Sequence, residues 1–147
     1  MSFYFAYGSN MDQTQMKERC PGATLIGPAE LKGYCLAFTI FSSKRQCGCA
    51  DIVASQGDSV YGLLYKLSDS ELATMDTFEG SPVHYHRIAV EVTEKNKKMS
   101  AYTYEVVNKV EGLIPSAHYF GLIHAAARKF DFPQTYREFL ANIKTKG

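Results

Sequence analysis

The chain has 147 residues, of which 46% are hydrophobic and 21% are charged, and its net charge is +1. This length suits one domain with a sizeable core, so we expect residues 1–147 to form a single domain. The near-neutral charge argues against binding to nucleic acid or to an anionic membrane surface. No apolar run approaches the roughly 20 residues that a membrane-spanning helix needs. A strand predicted from Phe3 leaves no room for a signal peptide, so we expect a cytoplasmic protein.

The N-terminal segment combines a strand with a tight turn. Residues 3–7 are aromatic and uncharged, which is typical of a strand. Gly8 can take backbone angles closed to other residues, and Ser9 and Asn10 both suit a helix N-cap. Such a turn aims several backbone N–H groups at one point, where the helix dipole adds partial positive charge. We interpret Tyr7 to Asn10 as a candidate site for a phosphate or a carboxylate. The alternative is a buried strand that ends in an ordinary cap.

The rest of the chain alternates between short strand and helix patterns. Ser68, with Glu71 three residues later, forms the capping box of a helix that Gly80 is placed to end. The predicted strands are 23–31, 34–40, 49–54, 59–67, 84–94 and 99–107, and the predicted helices are 12–20, 68–79, 116–129 and 134–143. Together with the N-terminal strand this pattern predicts an α+β fold around a small mixed β-barrel.

Glu79 is the carboxylate that the sequence singles out. It follows Phe78, precedes Gly80 and lies at the end of the predicted helix, where its charge opposes the helix dipole. Apolar surroundings would raise its pKa toward the range that suits a general base. The alternative is a surface Glu that happens to precede a terminal Gly. Asp76 is a weaker rival, for which we expect a local hydrogen bond.

The cysteines and histidines permit a second interpretation. Cys47 and Cys49, with His84 and His86, could place four zinc ligands on facing strands. Their spacing matches no familiar zinc motif, so we expect no metal. Cys20 and Cys35 are predicted to be small core residues. The cysteine spacing is not that of a secreted disulfide scaffold, which favours reduced thiols.

Two motifs together resemble the γ-glutamylcyclotransferase family. Residues 4–11, Tyr-Phe-Ala-Tyr-Gly-Ser-Asn-Met, resemble its opening signature. Residues 76–80, Asp-Thr-Phe-Glu-Gly, resemble the second motif, which carries the catalytic Glu. The resemblance runs from about Tyr4 to Ile143, with the motifs in family order.

This resemblance implies a small six-stranded barrel-like α+β fold and a cyclising reaction. The α-amine of a small γ-glutamyl substrate attacks its own γ-amide carbonyl, which gives 5-oxoproline and a free amino acid or amine. Glu79 is implied as the general acid/base, and Tyr7, Gly8, Ser9 and Asn10 as the carboxylate cradle. Tyr104 falls where the family has a substrate-contacting Tyr, although a core strand aromatic is an equal interpretation. No metal or organic cofactor is implied.

One departure concerns the loop that includes residues 46–49. Better-known members carry a Trp and a Gly-Gly pair there, whereas this chain has Cys47-Gly48-Cys49. The leaving group therefore stays open between an amino acid and an amine, the latter as in γ-glutamylamine cyclotransferases. A non-catalytic carboxylate-binding or interaction domain on the same fold is the alternative outside enzymes.

Overall fold

A computed structural model describes residues 1–147. It contains five strands, four α-helices and one short 3₁₀ turn. Their bounds are β1 Ser2–Ala6, the 3₁₀ turn Ser9–Met11, α1 Gln13–Arg19, β2 Thr24–Ser42, β3 Cys47–Leu67, α2 Asp69–Glu79, β4 Tyr85–Glu94, β5 Lys97–Val106, α3 Ala117–Lys129 and α4 Gln134–Ala141. None of the helices has the length and apolar character needed to span a bilayer.

The five strands close into a barrel in the order β1-β3-β2-β4-β5. Neighbouring strands are antiparallel, except that β5 meets β1 in parallel at the pair Tyr4 and Tyr102. The centre of the barrel is filled by apolar side chains that are fully buried, among them Phe5, Ile52 and Leu64. The predicted α+β barrel is therefore confirmed.

The number of strands differs from the prediction because β2 and β3 are long and continuous. The sequence indicated breaks at Lys32-Gly33 and at Gln56-Gly57-Asp58. In the structure Gly33 and Gly57 have φ of 85° and 87°, and the register between the two strands shifts there, after Lys32. The glycines therefore mark an irregularity within a strand pair and not the ends of strands.

The helix termini follow the sequence closely in most places. The Ser68–Glu71 capping box forms, Ser116 caps α3, and Gly80 ends α2 with φ of 65°. The prediction that Ser9 or Asn10 caps the first helix is wrong. Asp12 caps α1 through Gln15 N–H, because residues 9–11 form a separate 3₁₀ turn.

The last helix is shorter than predicted and buries fewer residues. It ends at Ala141, and Tyr136 and Leu140 are its buried residues. Phe139, which helical spacing places on the inner face, is 39% exposed. An eight-residue helix makes little more than two turns, so its buried stripe is narrow.

Gly62 tests how tightly β3 packs against β1. A Cβ at this position would overlap the carbonyl oxygen of Ala6 and lie 2.8 Å from Cζ of Phe5. Because backbone cannot move aside, we expect Gly62→Ala to lower the free energy of unfolding by about 3 kcal/mol or more. The matched control is Gly121→Ala in α3, where no atom lies within 4 Å of the added Cβ. Gly121→Ala should raise the free energy of unfolding by about 0.5–1 kcal/mol. Denaturant unfolding of both variants measures the difference, and equal effects would contradict this account of the packing.

Candidate active site

A cleft of about 1010 Å³ opens at one end of the barrel. Its walls come from the turn after β1, the end of α2, the β2–β3 hairpin, β5 and the start of α3. The residues predicted to be catalytic or substrate-binding all line it: Tyr7, Gly8, Ser9, Asn10, Glu79 and Tyr104. The fold thus brings together residues that are up to 97 positions apart in the chain.

The turn at Gly8 lines this cleft and contains backbone donors without a partner in the chain. No carbonyl or side-chain oxygen accepts from the N–H groups of Gly8, Ser9 and Asn10. Gly8 has φ of −112°, outside the left-handed region, so the turn does not use the conformational freedom that glycine offers. Glycine suits this position because of close packing: a Cβ would lie 3.3 Å from Cβ of Ala50.

The side chain of Asn10 connects the turn to three neighbouring elements. Its Nδ2 donates to Tyr4 Oη at 2.9 Å and approaches Glu79 Oε1 at 3.4 Å. Its Oδ1 accepts from Gln15 Nε2 at 2.8 Å and from Arg19 Nη1 at 3.0 Å. The amide is 3% exposed, so these bonds form away from bulk water. Asn10 therefore fixes the turn relative to the carboxylate of Glu79.

Glu79 is the last residue of α2, and its carboxyl group is the only one that lines the cleft. Burial raises its pKa from 4.5 to about 7, while Arg19 and Arg45 act in the opposite direction. A carboxyl group of this pKa populates both its acid and its base form near neutral pH. It can therefore both accept and donate a proton.

Tyrosine side chains surround Glu79. Five tyrosines have a raised phenol pKa, mainly because they are buried, and the negative charge of Glu79 raises each of these pKa values further. These tyrosines are Tyr4, Tyr7, Tyr85, Tyr104 and Tyr119. Raised phenol pKa values keep these hydroxyls protonated, so they act as hydrogen-bond donors and not as bases.

Three of these hydroxyl groups donate their hydrogen to oxygen atoms of the chain itself. Tyr7 donates to the carbonyl of Tyr104 at 2.6 Å, Tyr85 donates to the carbonyl of Ala50 at 2.6 Å, and Tyr104 donates to Asp76 Oδ1 at 2.5 Å. The hydroxyl oxygens of Tyr4 and Tyr119 instead accept from protein donors. The hydrogens of these last two remain free to point into the cleft.

Asp76 does not make the local side-chain bond that the sequence suggested. Its carboxylate accepts from Tyr104 on β5 and lies 3.6 Å from Nε of Arg87 on β4. It therefore ties α2 to the β4–β5 hairpin. Tyr104 is 2% exposed within the core and also lines the cleft, and its contact with a substrate stays a prediction.

Sequence reasoning missed the arginines and Tyr119. Arg19 donates to Asn10 and stacks on Phe78, with the guanidinium carbon 4.9 Å from the ring centroid. Arg45 donates to Gln15 Oε1 at 2.9 Å and lies over Tyr119 at 4.9 Å. In the sequence, residues 41–48 are recognisable only as a polar loop, and no spacing pattern connects them to α1 or α3.

The cysteine and histidine residues do not form a cluster. Cys47 and Cys49 are buried, whereas His84 and His86 are exposed and His86 lies 4.0 Å from Glu105. No group of three or more His, Cys, Asp or Glu side chains could hold a metal ion. All four cysteines are free thiols, and burial raises the pKa of Cys49 to about 11.

The cytoplasmic location stays a prediction.

A cleft that encloses one proton-exchanging carboxyl group among fixed donors is typical of an enzyme acting on a small molecule. Comparison with known proteins identifies the family of enzymes. Residues 4–120 match the family model described as gamma-glutamyl cyclotransferase, AIG2-like. Human gamma-glutamylcyclotransferase is 33% identical over 147 residues, which cover 96% of this chain and 78% of the human protein. The mouse protein is 30% identical over 148 residues, with the same two coverages.

A solved structure described as gamma-glutamyl cyclotransferase superposes with a TM-score of 0.92 at 30% identity. The match covers 99% of this chain and 89% of that one. The chain belongs to the gamma-glutamyl cyclotransferase, AIG2-like family, and it is a cyclotransferase.

The raised pKa of Glu79 makes a prediction about stability. Between about pH 4.5 and 7 the folded chain holds a proton that the unfolded chain releases, so this carboxyl group destabilises the fold progressively as pH rises. Glu79→Gln should be neutral near pH 4 and stabilising near pH 8, by up to about 3 kcal/mol. Urea unfolding across this range measures the effect, and the exposed Glu111→Gln controls for the lost charge. A Gln variant that is less stable near pH 8 would contradict the assignment.

Proposed function

We propose that the chain converts γ-glutamyl amino acids or γ-glutamyl amines to 5-oxoproline and releases the free amino acid or amine. In this proposal Glu79 moves the proton. The observation that supports it is one cleft that contains a carboxyl group of pKa about 7 beside a turn with free backbone N–H groups. The carboxyl group suits proton transfer near neutral pH, and the free N–H groups suit the binding of a carboxylate.

The substrate would bind with its α-carboxylate on the N–H groups of Gly8, Ser9 and Asn10. The ionised Glu79 then takes a proton from the α-ammonium group. The nitrogen that results attacks the γ-carbonyl carbon and forms a tetrahedral intermediate with a negative oxygen. The free hydroxyl hydrogens of Tyr4 and Tyr119 are donors within the same cleft that suit this oxygen.

The second half of the reaction returns the proton. The protonated Glu79 donates its proton to the leaving nitrogen, the C–N bond breaks, and the negative oxygen re-forms the carbonyl. The ring nitrogen, which became positively charged on attack, gives its extra proton to the carboxylate of Glu79, and this leaves 5-oxoproline. Glu79 then passes that proton to the released amine, which departs as an ammonium ion. One carboxyl group thus serves as base and then as acid, and no external proton source is needed. Because attack is intramolecular, a rigid site contributes mainly by positioning the two reacting atoms.

Substitution of Glu79 tests the proton transfer. Glu79→Gln keeps the size of the side chain but loses basicity, so kcat should fall by about 10²–10⁴ while substrate still binds. Glu79→Asp should be nearly as poor, because its carboxyl group retreats by one methylene. The wild-type rate should rise with pH through an apparent pKa near 7. The assay measures 5-oxoproline from a panel of γ-glutamyl dipeptides and amines, and wild-type turnover by the Gln variant would disprove this role.

Substitution of Gly8 tests the carboxylate cradle. The Cβ of Gly8→Val would lie 3.3 Å from Cβ of Ala50 and 3.6 Å from Tyr119 Oη, so its two methyl groups would crowd the turn. We expect binding of a γ-glutamyl ligand to fall below detection in calorimetry. Circular dichroism checks that the variant is folded, and Gly8→Ala should give an intermediate loss. Unchanged affinity in a folded Val variant would rule out the cradle.

A further inference from the structure

The cleft concentrates positive charge. Its cationic side chains are Arg19, Lys44 and Arg45, whereas Glu79 is its single carboxylate. None of these three cations forms an ion pair with a carboxylate of the chain. The whole protein has a net charge of only +1, so this excess is local. Uncompensated cations around a cleft favour an anionic ligand.

The two arginines come from different elements, and side chains connect both of them to the turn: Arg19 contacts Asn10 directly, and Arg45 reaches the turn through Gln15. Arg19 lies beside Glu79, where it contacts Asn10 and Phe78. Arg45 extends from the β2–β3 hairpin and is held by one bond to Gln15 and by the ring of Tyr119 on α3. The bond to Gln15 uses one of its five N–H donors, and the chain offers no acceptor to the others. A half-buried guanidinium that is already fixed in place loses little conformational entropy when it binds a carboxylate.

We propose that Arg45 binds the carboxylate of the departing amino acid and thereby selects γ-glutamyl α-amino acids over γ-glutamyl amines. This inference rests on the proposed function. In a γ-glutamyl α-amino acid a second carboxylate is attached one carbon away from the leaving nitrogen. A simple γ-glutamyl amine has no such group. The free N–H groups of the turn account for the glutamyl carboxylate, so the guanidinium of Arg45, which Gln15 holds beside the turn, is available for the second one.

Two substrates that differ only in this carboxylate provide the test. They are γ-glutamylalanine and γ-glutamylethylamide, in which hydrogen replaces the alanine carboxylate. Wild-type kcat/KM should favour γ-glutamylalanine by about 10- to 100-fold, the size of one charge-assisted hydrogen-bond interaction. Arg45→Gln should remove this preference by raising KM for γ-glutamylalanine about 10- to 100-fold more than for the ethylamide. Any effect through the pKa of Glu79 acts on both substrates alike and cancels in their ratio. The control is Arg128→Gln, which removes the same charge from an exposed position on α3 outside the cleft and should preserve the preference.

The possible outcomes separate this inference from the proposed function. Equal kcat/KM for the two substrates in the wild type, or an equal loss of both in Arg45→Gln, would overturn the role of Arg45. In that case 5-oxoproline formation would still support the cyclisation. Calorimetric binding of the same two compounds to Glu79→Gln, with and without Arg45→Gln, tests the subsite without turnover. A binding preference that depends on Arg45, in a protein whose wild type forms no 5-oxoproline, would support the subsite and reject the proposed reaction.

Discussion

The buried amide of Asn10 joins the pieces of the cleft. It accepts from α1 through Gln15 and Arg19, and it donates to Tyr4 while approaching Glu79 at the end of α2. An amide can do this because it carries donors and an acceptor on one rigid plane. A carboxylate of the same size would repel Glu79, and an apolar side chain would leave several buried partners unsatisfied. The position of the turn, of the carboxyl group and of Arg19 therefore depends on one residue.

Glu79 illustrates a conflict between folding and chemistry. Its burial among tyrosine rings disfavours the charged form, which raises its pKa. The same burial makes the ionised fold less stable. Gly80 keeps this arrangement in place, because its left-handed conformation ends the helix directly after the carboxyl group. A Cβ at Gly80 would also meet Cδ2 of His84 at 2.7 Å.

The sequence predicted those parts of the structure that local patterns determine. The capping box at Ser68, the cap at Ser116 and the end of α2 at Gly80 all depend on neighbours within four residues. The continuity of β2 through Gly33 could not be predicted, because a glycine at a bulge and a glycine at a turn look the same in sequence. The two family motifs predicted that Glu79 and the turn belong to one site, although no local pattern connects them. The contacts of Arg45 with Gln15 and Tyr119 join residues 30 and 74 positions apart in the chain. No periodic pattern in the sequence predicts contacts over such distances.

The closed barrel has two narrow seams. The β4–β5 hairpin is paired internally over ten residue pairs, whereas β4 meets β2 only at Thr93 with Glu30, and β5 meets β1 only at Tyr102 with Tyr4. Side chains reinforce the second seam, since Thr103 and Tyr7 each donate to a carbonyl across it. Local opening of this hairpin would therefore break fewer strand-to-strand backbone pairs than separation of β2 from β3, which are paired along most of their length. Tyr104 lies on this hairpin and lines the cleft, so one of the walls around Glu79 belongs to the part of the barrel that the fewest backbone pairs join to the rest.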